Sequence, residues 1–316
     1  MYDDILVPLD GSRFAEHALP LALTLARRTD ARIHLVSVVA TAPSVRFMSS
    51  KESEKAAVKG WFEERADRAQ EYLASVSRRL KEAASDSELE VHTKILSGPA
   101  VEALEERARR TEADLIVMTT HGRSPLRRAW LGSVADGLIR TGPCPVLLQR
   151  PEEGEAPALS EAPNLGHILV PVDGSDRSAG VVPRAAALAG AFDGELTLLA
   201  VVPSSEESAL ESDAPEPLPF HHAVPMGDAV GALEEHLAEL ARQAQDVARI
   251  SVERKVVTGD DPVEAILKTR KELGAGLVAL STRGQGGVPR MVLGSVADKI
   301  IRGGECPVLV HRPTDA

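Results

Sequence analysis

The chain is written twice. Ile5-Leu-Val-Pro-Leu-Asp-Gly-Ser12 returns as Ile168-Leu-Val-Pro-Val-Asp-Gly-Ser175, 163 positions later. Leu131-Gly-Ser-Val-Ala-Asp136 returns unchanged as Leu293-Gly-Ser-Val-Ala-Asp298, and Cys144-Pro-Val-Leu147 as Cys306-Pro-Val-Leu309, both 162 positions later. A near-constant offset of domain size means two copies of one fold in series. One residue is inserted where Gly98-Pro-Ala becomes Gly259-Asp-Asp-Pro. The stretch PEEGEAPALSEAPNLG from Pro151 has no apolar period and reads as a linker. The expected organisation is therefore a first domain over 1–150, a linker over 151–164 and a second domain over 165–313, in line with about two domains for 316 residues.

Each copy alternates short apolar runs with helical patterns. Strands are expected at Ile5–Leu9, Arg32–Val39, Glu90–Leu96, Leu115–Thr119 and Pro145–Gln149. In the second copy they are expected at Ile168–Val172, Glu195–Val202, Val252–Val257, Leu277–Ser281 and Pro307–His311. Between them fall helical patterns, including a long charged one over Lys55–Ala84, Ala100–Arg110 and Val134–Thr141. Pro20 and Pro183 sit at matching places in the helix after the first strand, where each marks a kink or a late start. Strands separated by helices pair in parallel through right-handed crossovers. The runs ILVPL, LIVM and LVAL scarcely alternate, as strands covered on both faces do. The fold class is α/β, with two tandem doubly wound five-stranded parallel sheets. Ligands of such sheets sit at the carboxyl ends of the strands, where strand order reverses.

At those ends the first copy has Asp10-Gly11-Ser12 after strand one and Thr119-Thr-His-Gly122-Arg123 after strand four. Nine residues beyond Gly122, Gly132-Ser133 opens a helix; the second copy has Ser281-Thr-Arg-Gly284, then Gly294-Ser295. A helix amino terminus offers unpaired N–H groups and partial positive charge to a phosphate. Arg123, Arg127 and Arg128 supply cations in the first loop, while the second has only Arg283 and Arg290 and carries Gly286 and Gly287. The same residues also serve as an ordinary helix cap and turn. Neither GxxxxGK[ST] nor GxGxxG occurs.

These motifs together resemble a tandem universal stress protein, one domain per half. The resemblance rests on ILVPLDGS/ILVPVDGS, Gly-x9-Gly-Ser, the Val-Ala-Asp helix and Cys-Pro-Val-Leu. It implies a Rossmann-like fold of the adenine nucleotide alpha hydrolase type. It implies ATP, with or without Mg, as the ligand. ATP-binding members carry Gly-x2-Gly-x9-Gly-Ser/Thr; here Thr119 and Ser281 hold the first glycine's place. A side chain there either crowds the ribose and triphosphate or donates a hydroxyl hydrogen bond. Carried over by position, the resemblance implies that Pro8, Leu9 and Asp10 line the adenosine end and Val38 touches the adenine face. Met118 and Thr119 would flank the ribose, and His121, Gly122, Arg123, Gly132, Ser133 and Val134 would surround the phosphates. In the second half the matches are Pro171, Val172, Asp173, Val201, Leu280, Ser281, Arg283, Gly284, Gly294, Ser295 and Val296. Asp10 and Asp173 have an alternative use as turn-formers capping the next helix. The resemblance also implies antiparallel pairing of the two fifth strands, a homodimer of tandem chains and a stress-response role read by a protein partner.

Other chemistry is weakly supported. His121 has no visible nucleophile or orienting partner, and the second copy has Arg283 there. His221-His222 lacks further ligands at zinc spacing. Cys144 and Cys306 fit small packing roles in a reducing compartment. No catalytic residue and no metal site is therefore expected, with two alternatives to nucleotide binding alone: a protein-interaction module that binds no nucleotide, or a slow ATP hydrolase. The net charge of −11, from 36 Lys+Arg and 47 Asp+Glu, opposes nucleic-acid and anionic-membrane binding, and 3% aromatics is thin for base-stacking platforms. No run of about 18 apolar residues occurs, and the opening MYDDILVPLDGS lacks a basic-then-apolar leader, so a cytoplasmic location is expected.

Overall fold

Ile5, Leu6 and Val7 are wholly buried, as are Ile168, Leu169 and Val170. Burying every side chain of a short run requires cover on both faces, and each such Leu, Ile or Val contributes about 1.5–3 kcal/mol. The computed structural model supplies that cover, describing residues 2–39, 52–84, 88–120, 131–150, 158–161, 164–204, 226–282 and 293–313.

In chain order the first copy contains β1 (Asp4–Pro8), α1 (Arg13–Glu16), α2 (Leu19–Thr29), β2 (Arg32–Val39) and α3 (Glu52–Ala83). It continues with β3 (Val91–Ser97), α4 (Ala100–Arg110), β4 (Leu115–Thr119), α5 (Ser133–Thr141) and β5 (Val146–Gln149). The second contains β6 (His167–Val172), α6 (Asp176–Ala179), α7 (Val182–Ala191), β7 (Glu195–Val202) and α8 (Met226–Val247). It ends with β8 (Ser251–Thr258), α9 (Pro262–Leu273), β9 (Leu277–Ser281), α10 (Ser295–Gly303) and β10 (Val308–His311). The strands lie within a residue of the expected ones.

By their contacts the elements fall into two units. The first holds β1–β4 with α1–α5; the second holds β5–β10 with α6–α10. Within the first, the strand order is β3-β2-β1-β4. Strand β1 runs parallel to both its neighbours, with Ile5 opposite Ile33 and Leu115. Within the second, the order is β5-β10-β9-β6-β7-β8. Its five own strands are parallel, while β5 joins β10 antiparallel, with Leu147 opposite Leu309. These two leucines are repeat equivalents, so this strand pair is self-complementary. The antiparallel pairing expected of the fifth strands is present, and β5 clusters with the second copy's strands.

The two prolines are late starts rather than kinks. The one-turn helix α1 ends at Glu16, and α2 begins at Leu19 with Pro20 in its first turn. Pro183 takes the same place in α7. A first-turn proline forfeits no helical hydrogen bond. The long helix begins at Glu52, three residues earlier than its pattern suggests. Its later part packs inward: Leu73, Val76 and Leu80 are fully buried, while Trp61 is 42% exposed with the Arg65 guanidinium 4.7 Å above its ring. Leu237, Leu240 and Ala244 form the matching buried stripe of α8. Cys306 is buried, which pushes its thiol up, in keeping with a packing role.

Candidate functional site

In the first unit the order reverses between β1 and β4, which pair in register at Ile5–Leu115. The carboxyl ends of these strands therefore lie side by side. Leu9 continues from β1, its N–H bonded to the Val36 carbonyl at 2.8 Å. That brings the end of β2, with half-buried Val38, alongside. The chain then turns sharply through Gly11, whose φ of 81° is the left-handed conformation glycine accepts without strain. Asp10 Oδ1 accepts the Ser12 N–H at 2.9 Å, and Ser12 Oγ accepts the Ala15 N–H at 3.2 Å, capping α1. Of the two uses open to Asp10, the turn is the one these bonds serve.

At the end of β4, Met118 and Thr119 are buried. The Thr120 carbonyl accepts the Gly132 N–H at 2.7 Å, closing the neck of the intervening loop. Gly132 has extended angles and is the N-cap of α5, so the cap residue itself supplies no side-chain hydrogen bond to the first-turn N–H groups. Exposed Ser133 and half-buried Val134 follow. The first-turn carboxylate of Asp136, unfavourable beside a phosphate, is held by Arg140 at 2.8 Å. His121, Gly122, Arg123, Arg127, Arg128 and Trp130 lie outside the described residues.

The second unit repeats the plan with changes. Gly174 has φ 82°. Asp173 Oδ1 accepts the Ser175 N–H at 3.1 Å and the Ser175 hydroxyl at 2.6 Å. The Ser178 hydroxyl accepts the Asp173 N–H at 3.1 Å and donates to the Ser175 carbonyl at 2.9 Å. The Ser281 hydroxyl donates to the Ser178 carbonyl at 3.2 Å, tying the end of β9 to α6. The Thr282 carbonyl accepts the Gly294 N–H at 2.8 Å, and Gly294 caps α10 without side-chain help. Ser295 is exposed, Val296 half-buried, and Asp298 is held by Arg302 at 2.8 Å. Pro171 is half-buried, while Val172 and Leu280 are buried. Val201 lies 3.8 Å from the point a methyl at Gly259 would occupy. Arg283, Gly284, Gly286, Gly287 and Arg290 are outside the described residues, as is His221-His222.

The structure thus brings Leu9, Asp10, Met118, Thr119 and Gly132 to one end of the first sheet, and their equivalents to one end of the second. Pro8 and Val38 lie beside the former group. Three residues near these ends escaped sequence reasoning. Tyr72 of α3 is enclosed near Glu16 and Asp10; burial, then the Glu16 carboxylate, pushes its phenol up. Ser178 and His311 border the second site. Tyr72 had a weak signal, lying beside the apolar stripe of its helix; the other two had none before the chain folds. Among the described residues, no group of three or more His, Cys, Asp or Glu is placed to hold a metal. Nor is any helix there long and apolar enough to cross a membrane.

Compared with known proteins, the chain matches the Universal stress protein family over residues 1–150 and 164–312. A universal stress protein of Mycobacterium bovis is 27% identical over 313 residues, covering 98% of this chain and 96% of its own. One from Methanocaldococcus jannaschii is 30% identical over 155 residues, 49% of this chain and 86% of its own. Among solved structures, a universal stress protein from Archaeoglobus fulgidus has a TM-score of 0.69 at 20% identity, covering 98% of both chains, a likeness of fold.

Proposed function

Because this chain belongs to the universal stress protein family, we propose that it is a cytoplasmic ATP-binding sensor of stress, with one nucleotide site at the carboxyl strand ends of each half. The observation that carries this reading is the neck at Thr120–Gly132 and Thr282–Gly294. Each neck delivers the amino end of a nine-residue helix, capped by a glycine that has no side chain to occupy its N–H groups, to the reversal point of its sheet. Backbone N–H groups and the helix dipole favour a polyphosphate there. ATP would be held by these amides and by Ser133 or Ser295, with the adenosine toward Leu9 and Val38, or Val172 and Val201. Mg would arrive with the phosphates. Binding rather than turnover is the proposed activity, and slow hydrolysis is its alternative. The family resemblance supports a homodimer of tandem chains and a protein partner that reads the occupied state. On this reading residues 1–150 and 165–313 act as the two domains, joined through 151–164.

A second reading has one specific observation in its favour. The Ser281–Ser178 bond closes part of the second mouth. The second half then serves protein contact and only the first binds nucleotide.

Calorimetry with Mg-ATP on the full chain tests the proposal. Two sites in the micromolar range are expected. In Trp61→Phe protein, Trp130 two residues before Gly132 should quench or shift on binding. Gly294→Ala sharpens the test: among the described residues, the added methyl meets the Thr282 carbonyl at 3.4 Å, an ordinary contact. It should leave folding intact and remove the second site. A flat titration with ATP at millimolar concentration would defeat the nucleotide reading, and phosphate release at many turnovers per second would make the chain an enzyme.

A further inference from the structure

His311 ends β10, in register with Ser281 of β9. Its carbonyl accepts the Thr282 N–H at 2.8 Å, and the Thr282 carbonyl accepts the Gly294 N–H at 2.8 Å. Two successive backbone hydrogen bonds thus join His311 to the residue that opens α10. The imidazole lies beneath the segment after β6. A methyl at Gly180 would stand 3.6 Å from its Cδ2 and 3.7 Å from its Nε2. Its Nδ1 is buried with no hydrogen-bond partner.

The repeat makes this more than an isolated orphan. At the same place in the first half stands Gln149, whose Oε1 is likewise buried with no hydrogen-bond partner. Its amide donates to the Arg150 carbonyl at 3.1 Å. Buried polar atoms are nearly always paired. Two orphans at equivalent strand ends, one of them bordering the candidate second-half site, point to a group that is completed from outside. The two side chains differ in one respect that matters: imidazole takes up a proton near neutrality and an amide does not.

The charges around His311 set the sign. Helix α7 contributes Arg184; burial first, and then this guanidinium, pushes the imidazole down from its ordinary value. Helix α6 carries Asp176 and Arg177, both exposed. The turn before it carries Asp173, bonded to Ser175. The neighbouring strands offer the uncharged Ser281 and Val146. The ring is therefore neutral in the unliganded protein at neutral pH. An arriving polyphosphate opposes Arg184 and favours the imidazolium.

We propose that His311 makes polyphosphate binding at the second-half site proton-linked. This rests on the nucleotide-binding reading. The proton comes from solvent as the anion binds and leaves when it departs, and by linkage affinity rises as pH falls. A unit charge within roughly 10 Å of a phosphate, at an effective dielectric between 20 and 80, changes affinity by a factor on the order of ten.

The test uses the full-length chain. The ring signals of His311, assigned by their loss in His311→Gln, are followed by NMR through a pH titration. The titration is run without ligand, with Mg-ATP and with tripolyphosphate, which lacks the base. Both ligands should raise the proton affinity of His311 by about tenfold. Second-site affinity should weaken by about the same factor between pH 6 and 8 in the wild type. It should be flat in His311→Gln. If ATP occupies the second site, as judged by its loss in Gly294→Ala, and the His311 titration does not move, the proposal is wrong and the nucleotide reading stands. ATP confined to the first half has the same consequence. If neither ATP nor tripolyphosphate binds at any pH, the nucleotide reading fails and the proposal with it.

Discussion

The chain entering β1 is held by Asp114, whose Oδ2 accepts the Asp3 and Asp4 N–H groups at 2.9 and 3.1 Å. The chain entering β6 is held differently. The place of Asp114 is taken by Gly276, and the place of Ala31 by Gly194. A methyl added at Gly276 would lie 1.6 Å from the Asn164 carbonyl, and one at Gly194 would lie 2.2 Å from the Gly166 carbonyl. The first half grips its leading strand with a carboxylate; the second lets backbone press into two gaps where side chains are missing. Duplicated folds share a hydrophobic plan, and their copies diverge in how local polar groups are satisfied.

Exchanging these devices gives the largest effect. Gly276→Ala forces backbone to move and should destabilise the second unit by about 3 kcal/mol, with Gly194→Ala close behind. Asp114→Ala unpairs two N–H groups at an accessible edge and should cost the first unit about 1 kcal/mol. Urea denaturation of the full chain, followed by probes in each half, measures both. Equal losses would mean that β1 and β6 are anchored with the same energy despite their different geometry.

Acid should act on the halves through different groups, on the first through Asp4 and His34 and on the second through His311, whose imidazole burial and then Arg184 push below 6.5. Asp4 is buried in β1, with Oδ1 2.6 Å from His34 Nε2 and Oδ2 paired with Arg32. His34 stacks on His92 with ring centroids 5.2 Å apart. Burial, opposed by Asp4, pushes the His34 imidazole below its ordinary value of 6.5. Burial also works against the Asp4 carboxylate, yet the His34 and Arg32 hydrogen bonds hold it below 3.8. A base whose folded pKa is depressed favours the unfolded state once the pH falls through its unfolded pKa. The first unit should therefore soften as pH drops from about 7 through 6.5, and soften again below 3.8 as Asp4 protonates. In the second half Thr197 replaces His34 and meets His167 Nε2 at 2.8 Å, so this particular titration is missing. His34→Thr should cost the first unit about 1–2 kcal/mol at pH 7.5 and flatten its upper acid step. An unchanged slope between pH 7 and 5.5 would place the acid sensitivity elsewhere.

The succession of elements and their parallel pairing were legible because their causes are local or periodic. Runs such as Ile5–Val7 mark strands covered twice, and the spacing of strands and helices forces parallel crossovers. The site's location followed from the same logic. What Asp10 does was not legible, because an aspartate before Gly-Ser serves a turn and a ribose hydroxyl equally well. Pairs such as Asp4–His34 and Ser178–Ser281, separated by 30 and 103 residues, carry no sequence signal at all. They arise when the sheet brings distant segments into register. The membership of β5 in the second unit was hidden for a related reason. Its residues match the first copy, while its hydrogen bonds to β10 are made far along the chain.

The smallest effect concerns the mouths of the two sites. The Ser281 hydroxyl reaches the Ser178 carbonyl at 3.2 Å. The first half has Ala15 where the second has Ser178, and buried Thr119 where the second has half-buried Ser281. A neutral hydrogen bond of this kind contributes about 0.5–1.5 kcal/mol. If it must open for ATP to enter, Ser281→Gly should tighten the second site by about threefold to fivefold with a slight loss of stability. Thr119→Gly instead empties a buried position. It should cost the first unit about 1–2 kcal/mol without a matching gain in affinity. Isothermal titration of both variants against Mg-ATP discriminates between closure and crowding. Tightening at both sites means that any side chain in this place crowds the ligand. Tightening at the second site alone assigns the difference to the bond with Ser178, and Ser178→Ala, which keeps that carbonyl, should then leave the second site's affinity nearly unchanged.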